Sequence, residues 1–268
     1  MQRKQVKRMV CLKEVRENIS LTLIWSLLLA AMLIMVILLF PAMAADMSSL
    51  LGMMRNLGPF AQALKLDSLP VNQLIGFYAM ESENMLGIAG FFFAAYLGAK
   101  LLAKEEGQHT AEFLLSLPIR RRSVYWQKWA ALLTLLVIFN LIIMVLAALV
   151  IYLGQQSLPW IDFIQLHLAL FLVQAFFAGL TYGLSTFFRA ENLALSMGLV
   201  FLLYFINIII NLWPALKFLR FFTPFQFAYA ADILKQGLDW SLIAVFILVT
   251  VMVLFLASLH YENKDIQI

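Results

Sequence analysis

Residues 104–128 form the stretch whose composition most clearly predicts a binding role. The stretch opens with acidic and polar residues. It then places Phe113, Leu114 and Leu117 at positions i, i+1 and i+4, which share one face of an α-helix. Pro118 ends this helix, because the residue before a proline avoids the helical region. The pattern predicts a short amphipathic helix whose apolar face needs a partner: a membrane surface, the chain's own N-terminal segment or a groove on another protein.

Four amide side chains lie inside otherwise apolar segments and are candidates for a path through the membrane. Asn140 and Gln174 fall near the middle of two such segments, whereas Asn207 and Asn211 lie one turn apart and share a helix face. Polar groups at such positions are expected to face protein or a water-filled path. The alternative is favoured: hydrogen bonds between helices, worth about 0.6 kcal/mol each on average.

The common signatures of catalysis are missing from the sequence. It contains no G-x-x-x-x-G-K-[ST], H-E-x-x-H or G-x-S-x-G motif. The three histidines form no obvious metal site, and His167 is expected to be a packed, hydrogen-bonded helix residue. We therefore predict no catalytic, cofactor-binding or metal-binding residue. The predicted spans also lack carboxylates, which argues against a proton-driven carrier.

Composition identifies the kind of protein that must position these residues. Apolar residues make up 63% of the 268 residues and charged residues 13%, against about 25% charged in typical soluble domains. A soluble globule of this size would lack the polar residues to cover its surface. Disorder is excluded because the chain is 14% aromatic. The composition predicts an all-α polytopic membrane protein.

Six segments are long and apolar enough to cross a membrane, which takes about 20 residues. They form one predicted domain, 1–268, and contain no Asp, Glu or Arg; their ranges are 21–44, 84–102, 129–153, 163–188, 193–213 and 240–259. The loop 45–83 is mixed and too polar to span. The loop 214–239 is unusually aromatic. Whether it re-enters the membrane between the other helices is left open.

The distribution of basic residues predicts the orientation. Most of the 19 Lys and Arg residues precede the first span or lie between the second and third, which places both termini in the cytoplasm. Residues 1–18 carry apolar residues at helical spacing among basic ones. This predicts an amphipathic helix at the cytoplasmic interface; a solvated basic leader is the alternative.

Small residues recur every four positions in two spans. Gly90, Ala94 and Gly98 form one series, and Gly179 and Gly183 form a G-x-x-x-G pair. Both patterns allow helices to approach closely. The sequence does not tell packing within the chain from dimerisation.

Several short motifs follow one another at defined positions along this six-span topology. After the second span comes an acidic-to-apolar motif that ends in leucine, serine and proline and is followed by arginine. The motifs are Thr110-Ala111-Glu112-Phe113-Leu114-Leu115-Ser116-Leu117-Pro118 with Arg120 or Arg121, Lys128 at the third span, Thr223-Pro224-Phe225 before the last span, and Tyr261 with Lys264-Asp265-Ile266. In these motifs and in its six-span layout, the chain resembles the membrane permease subunits of ATP-binding-cassette (ABC) transporters, in the type-two exporter class.

The resemblance implies roles for residues that composition alone does not assign. In that family the segment after the second span is a coupling helix, which inserts into a separate nucleotide-binding subunit. Many members have Gly-Thr where this chain has His109-Thr110, so the start of the helix carries over less securely. The coupling residues implied are Glu105, Glu106, Thr110, Glu112, Phe113, Leu114, Leu115, Ser116, Leu117 and Pro118.

The resemblance also implies the partners. These are a P-loop ABC ATPase subunit that carries MgATP, a second permease chain in a homodimer or heterodimer, and the lipid bilayer of the plasma membrane. Segment 1–18 corresponds to the family's elbow helix. The chain itself is expected to bind no cofactor and no nucleic acid.

Two other classes of function stay open at this point. An integral-membrane lipid-modifying enzyme would need catalytic groups clustered at one interface, and the sequence shows no such cluster. A non-transporting membrane scaffold or immunity protein is compatible with the sequence. The sequence does not identify the substrate, and export rests on the resemblance alone.

Overall fold

The computed structural model describes residues 2–44, 52, 58, 69–107, 119–154, 156–188 and 192–264. All regular secondary structure in these residues is helical. The α-helices are α1 (Gln2–Ala44), α2 (Leu74–Gly107), α3 (Arg121–Leu153), α4 (Trp160–Ser185), α5 (Leu193–Leu212), α6 (Ala230–Gln236) and α7 (Trp240–Asn263). Two 3-10 helices, Pro214–Phe222 and Pro224–Phe227, precede α6.

Six of these helices, all except the short α6, are long and apolar enough to cross a membrane, which confirms the predicted number of spans within the described residues. Helices are the form expected, because a bilayer offers no hydrogen-bond partners to the backbone. Side chains cap two of the starts: Asn192 accepts a hydrogen bond from the backbone of Leu195, and Asp239 accepts from Ser241 and Leu242.

The helices pack around α4. Helix α2 lies along α4, α1 lies along α3, and α7 also packs on α4. Helices α2 and α4 are the most buried of the six described spans, and α5 is the least. One apolar core includes side chains from all seven α-helices and from the loop between α5 and α7.

Both small-residue patterns pack within the chain. A Cβ atom added at Gly98 of α2 would clash with Thr181 and Ala178 of α4, and one at Gly179 of α4 would clash with Thr250 of α7. The glycines therefore let α2 approach α4 and let α4 approach α7. Dimerisation is not needed to explain either pattern.

Helix α1 includes residues 2–18, for which the sequence predicts an amphipathic elbow helix at the cytoplasmic interface, and that interfacial position stays a prediction. The chain is one continuous helix from Gln2 to Ala44, which at 1.5 Å per residue is about 65 Å long. The physical reason lies in its contacts: Val10 packs on Val124 of α3, and Glu14 is buried against α2 and α3. These contacts hold the segment in line with the span.

The second span also begins earlier than predicted. Helix α2 starts at Leu74 rather than at residue 84, and the added turns carry Glu81 and Glu83. The apolar pattern underestimates this helix because its first turns are mixed in character. The expectation that the spans lack carboxylates is therefore wrong for this helix.

The start of α1 and the end of α7 lie at the same end of the bundle. The start of α1, the end of α2 and the start of α3 meet there, and we call this the basic end. Arg121 donates a hydrogen bond to the carbonyl of Lys264 over 2.7 Å, and Lys264 Nζ donates to the carbonyl of Phe188 over 2.7 Å. The C-terminus of α7 is thus also at the basic end, as six spans require. We call the opposite end the far end.

The aromatic loop between α5 and α7 packs deeply among the helices. The Phe225 ring lies 5.2 Å from that of Phe91 on α2, 5.5 Å from that of Phe177 on α4 and 5.6 Å from that of Tyr204 on α5. Phe177 is about 25 Å along α4 from its start at the far end. The loop thus enters the bundle, as membrane re-entry would require.

Candidate functional site

The predicted coupling residues fall at the edge of the described structure. Glu105 and Glu106 belong to the last turn of α2, but their side chains lie outside the described residues. The remainder also lie outside the described residues: Thr110, Glu112, Phe113, Leu114, Leu115, Ser116, Leu117 and Pro118. The structure describes both flanks of this segment, which are the end of α2 and the start of α3.

A group of four charged residues joins these two flanks to α1. Lys104 on α2 places its Nζ 2.6 Å from Glu14 Oε2 and 2.6 Å from Glu17 Oε2. Lys128 on α3 places its Nζ 3.4 Å from Glu14 Oε1. We call these four residues the flank cluster. It contains two positive and two negative charges, and it links three helices at the basic end.

Three of the four residues of the flank cluster are shielded from solvent, whereas the side chain of Glu17 is 44% exposed. The side chains of Glu14 and Lys128 are 1% and 0% exposed, and that of Lys104 is 7% exposed. Lys128 Nζ also donates to the carbonyl of Leu101 over 2.5 Å, which ties α3 directly to the last turns of α2. Removing one partner of a buried ion pair costs about 3–5 kcal/mol, because it leaves the other charge desolvated. The cluster therefore fixes the end of α2 and the start of α3 against α1.

Sequence reasoning missed the role of Glu14, although a signal for it was present. Glu14, Asn18, Thr22 and Ser26 recur every four residues on α1, and all four are buried. Asn18 donates to the carbonyl of Glu14, and Thr22 donates to that of Asn18. A polar stripe at helical spacing in an apolar helix predicts a face turned toward protein.

The four predicted amide residues form two separate groups. Asn140 Nδ2 donates to Gln174 Oε1 over 2.6 Å, and the pair joins α3 to α4 in the core. Asn140 Oδ1 and Gln174 Nε2 have no hydrogen-bond partner among the described atoms. This arrangement matches the favoured alternative, a hydrogen bond between helices.

Asn207 and Asn211 instead hold the aromatic loop. Both donate to the hydroxyl of Tyr229, and both accept from Gln226 Nε2, over 2.7 Å for Asn207 and 3.1 Å for Asn211. Burial raises the pKa of Tyr229, and the nearby charge of Glu83 adds to the rise, so the phenol stays neutral. The pair thus positions the loop on the far half of α5.

His167 is the packed, hydrogen-bonded residue that the sequence predicted. It is 4% exposed, and its Nε2 lies 2.7 Å from the hydroxyl of Tyr78 on α2. Its ring also packs edge-on against Phe163. The contacts link α2 to α4 near the far end.

A cavity of about 90 Å³ lies between α2 and α5 toward the far end. Glu83 and Gly87 line it from α2, Tyr204 and Asn207 from α5, and Tyr229 from the loop. Glu83 Oε2 accepts a hydrogen bond from the backbone N–H of Ala230 over 3.0 Å, at the start of α6. Sequence reasoning missed this carboxylate because it placed the start of the span one residue after Glu83.

The arrangement as a whole separates two regions. The basic end carries the flank cluster, which joins the end of α2 and the start of α3 to α1. The far end carries a polar and aromatic cavity that reaches the membrane-facing surface, since Ile88 and Phe201 both line it and are 48% and 51% exposed. Helices α2 and α5 connect the two ends.

Similarity to a known protein family extends over nearly the whole chain. A family model described as "ABC-2 family transporter protein" matches residues 8–266. No curated protein matches the chain. The matched range includes six of the described α-helices entirely, α1 from residue 8 onward, and the residues that line the cavity between α2 and α5.

Proposed function

The chain belongs to the ABC-2 transporter family and is a multi-pass membrane protein, and on that premise we propose that it is the permease subunit of an ATP-driven exporter. The family implies partnership with an ABC ATPase subunit. In this proposal the ATPase is a separate P-loop chain that binds MgATP, and ATP binding and hydrolysis there drive a change of exposure in the permease.

The observation that carries the proposal is the flank cluster. Lys104 and Lys128 lie on the two sides of the coupling segment, and both pair with Glu14 of α1. A displacement of residues 105–118 by the ATPase would therefore be transmitted to α1, α2 and α3 together. The apolar face of Phe113, Leu114 and Leu117 would dock on the ATPase, since an amphipathic helix buries such a face in a groove.

The remaining parts of the proposal concern the assembly and the path. Two permease chains, identical or different, sit in the plasma membrane with their termini in the cytoplasm. The path uses the polar groups of α5, Asn207 and Asn211, at the far end, whereas Asn140 and Gln174 pair within the core. Export as the direction rests on the family resemblance, and the nearly uncharged spans favour a hydrophobic or amphipathic substrate.

The test is gentle purification of the tagged chain from its native membrane, followed by identification of co-purifying proteins and an assay of MgATP hydrolysis. We expect a stoichiometric P-loop subunit with the wild type and its loss with Leu114→Asp. Leu12→Asp is the matched control, because it makes the same change at an exposed position of α1. We expect this control to keep the subunit.

Three outcomes would contradict the proposal. If Leu114→Asp retained the subunit and its coupled transport, the coupling role would be wrong. A folded sample without partner or ATPase activity, but active on lipid without ATP, would identify a membrane enzyme. A bound ATPase with nothing moved across the membrane would identify a scaffold or immunity protein.

A further inference from the structure

The cavity between α2 and α5 combines one carboxylate with aromatic walls. Glu83 is the only charged residue among the described residues that line it, and none of them is Lys or Arg. The walls include the rings of Phe92 and Phe201, whose centroids are 4.7 Å apart, and the ring of Phe225. Placing a carboxylate on a membrane-spanning helix costs free energy, so a carboxylate at such a position indicates a functional site.

The position of Glu83 is fixed by the loop. The backbone N–H of Ala230 holds its Oε2, and the neighbouring Tyr229 is held in turn by Asn207 and Asn211. Two helices and the loop therefore meet at this carboxylate. A side chain set in this way is preorganised for a ligand rather than free to turn toward water.

This lining selects for positive charge. Aromatic faces attract ammonium groups, most strongly when the site is desolvated, and the Glu83 carboxylate adds a direct opposite charge. An anion would meet the carboxylate without a compensating base among the described residues of the lining. A neutral molecule would gain only apolar contact, which the surrounding lipid also provides.

The size of the cavity limits what enters it. Ligand sites for whole drug-sized molecules usually enclose about 300–1,000 Å³, whereas this cavity is about 90 Å³. The space fits a small head group, and the exposed Ile88 and Phe201 at its edge lead to the membrane-facing surface. Gly87 leaves the space open because it has no side chain. A Cβ atom there would lie within 4 Å of only the Phe91 ring, at 3.5 Å, so a larger side chain would fit and fill part of the cavity.

We infer that the α2–α5 cavity binds the cationic head of an amphipathic molecule, with Glu83 as the counter-charge and the apolar tail of the molecule lying along α2 and α5. That this molecule is the transported substrate rests on the proposed function. The binding itself does not require ATP or an ATPase partner.

The test is equilibrium binding of radiolabelled octyltrimethylammonium to the full chain in nanodiscs of zwitterionic lipid, with empty nanodiscs as background. Whatever subunits co-purify are kept. We expect saturable binding that an excess of the neutral analogue ending in a tert-butyl group, or of octyl sulfate, does not displace. If the neutral analogue displaced the radiolabelled cation as effectively as the unlabelled cation does, the inference would be overturned.

Three variants assign the binding to the cavity. We expect Glu83→Gln to raise Kd about tenfold or more, since it removes a charged contact but keeps an oxygen that accepts from Ala230. Gly87→Val should abolish binding by filling the space without changing any charge. Glu81→Gln is the matched control, because Glu81 lies on the same helix but does not line the cavity; its Kd should equal that of the wild type.

The outcomes separate this inference from the proposed function. Equal Kd values for Glu83→Gln and the wild type, or equal losses for Glu83→Gln and Glu81→Gln, would overturn the cation site. If no ATPase subunit co-purifies from the native membrane, the proposed function is contradicted, but binding that depends on Glu83 and Gly87 would still support the site. Gel filtration of each variant identifies misfolding, and Gly87→Val tests the site independently if Glu83→Gln does not fold.

Discussion

Substitution of Lys128 by methionine tests whether the flank cluster holds the bundle together. Lys128→Met keeps the length and apolar stem of the side chain but removes its charge. Glu14, which is 1% exposed, then loses the Lys128 contact at 3.4 Å and keeps Lys104 at 2.6 Å. The bond from Lys128 to the carbonyl of Leu101 is lost as well.

The structure sets the expected magnitude. Removing one partner of a buried ion pair costs about 3–5 kcal/mol, and the lower end applies because Glu14 keeps its shorter contact. For chains of 150–250 residues, each kcal/mol lowers the unfolding temperature by about 2–4 °C. We therefore expect Lys128→Met to lower the midpoint of thermal unfolding by about 6–12 °C.

The matched control is Lys13→Met, which removes an ion pair of the same type from the surface. Lys13 pairs with Glu17 at 3.6 Å, and their side chains are 53% and 44% exposed. Such a pair on a helix contributes about 0.3–0.5 kcal/mol. We expect a midpoint within about 2 °C of the wild type.

The assay is the fraction of purified chain that stays monodisperse after heating, measured by size-exclusion chromatography in the same detergent for every variant. A double-mutant cycle with Glu14→Gln isolates the pair. In the Glu14→Gln background, Lys128→Met should cost less than it does in the wild type. The reasoning is refuted if Lys128→Met and Lys13→Met shift the midpoint equally, or if the Glu14→Gln background leaves the cost unchanged.

Two further predictions use the same assay. Gly98→Ala should destabilise the chain by about 1–3 kcal/mol, because its Cβ would push α2 away from Thr181 on α4. Gly198→Ala is the control: the space around Gly198 is open, so this change should stabilise α5 by about 1 kcal/mol. Equal effects of the two changes would contradict the close packing of α2 on α4 at Gly98. Asn207→Leu should cost about 0.6–1.7 kcal/mol, because it removes one of the two asparagines that bond Gln226 and Tyr229 while Asn211 remains. A loss as large as that of Lys128→Met would show that this expectation is wrong.

The sequence predicted the spans well where hydropathy changes sharply. Helix α5 was predicted at 193–213 and extends from Leu193 to Leu212. The start of α2 was missed by ten residues, because Glu81 and Glu83 lie in turns whose composition resembles that of a loop. Hydropathy averages the polarity of neighbouring residues along the chain. It therefore misplaces the end of a helix where the terminal turns carry charged residues that contact a loop.

The sequence by itself determined that the chain is an all-helical membrane protein, since its composition leaves too little polar surface for any other environment. It also predicts a short amphipathic helix that ends at Pro118, because the apolar spacing from Phe113 to Leu117 is local. These are properties of neighbouring residues, which short-range patterns record. The coupling role of this segment stays a prediction.

Only the tertiary structure decided which distant residues meet. Glu14 and Lys104 are separated by 90 positions, and Glu83 and Ala230 by 147, yet each pair is in contact. The small-residue patterns allowed either packing within the chain or dimerisation, and contacts between α2, α4 and α7 selected packing within the chain. Helical spacing states which residues share a face, but the partner of that face depends on how all the helices pack together.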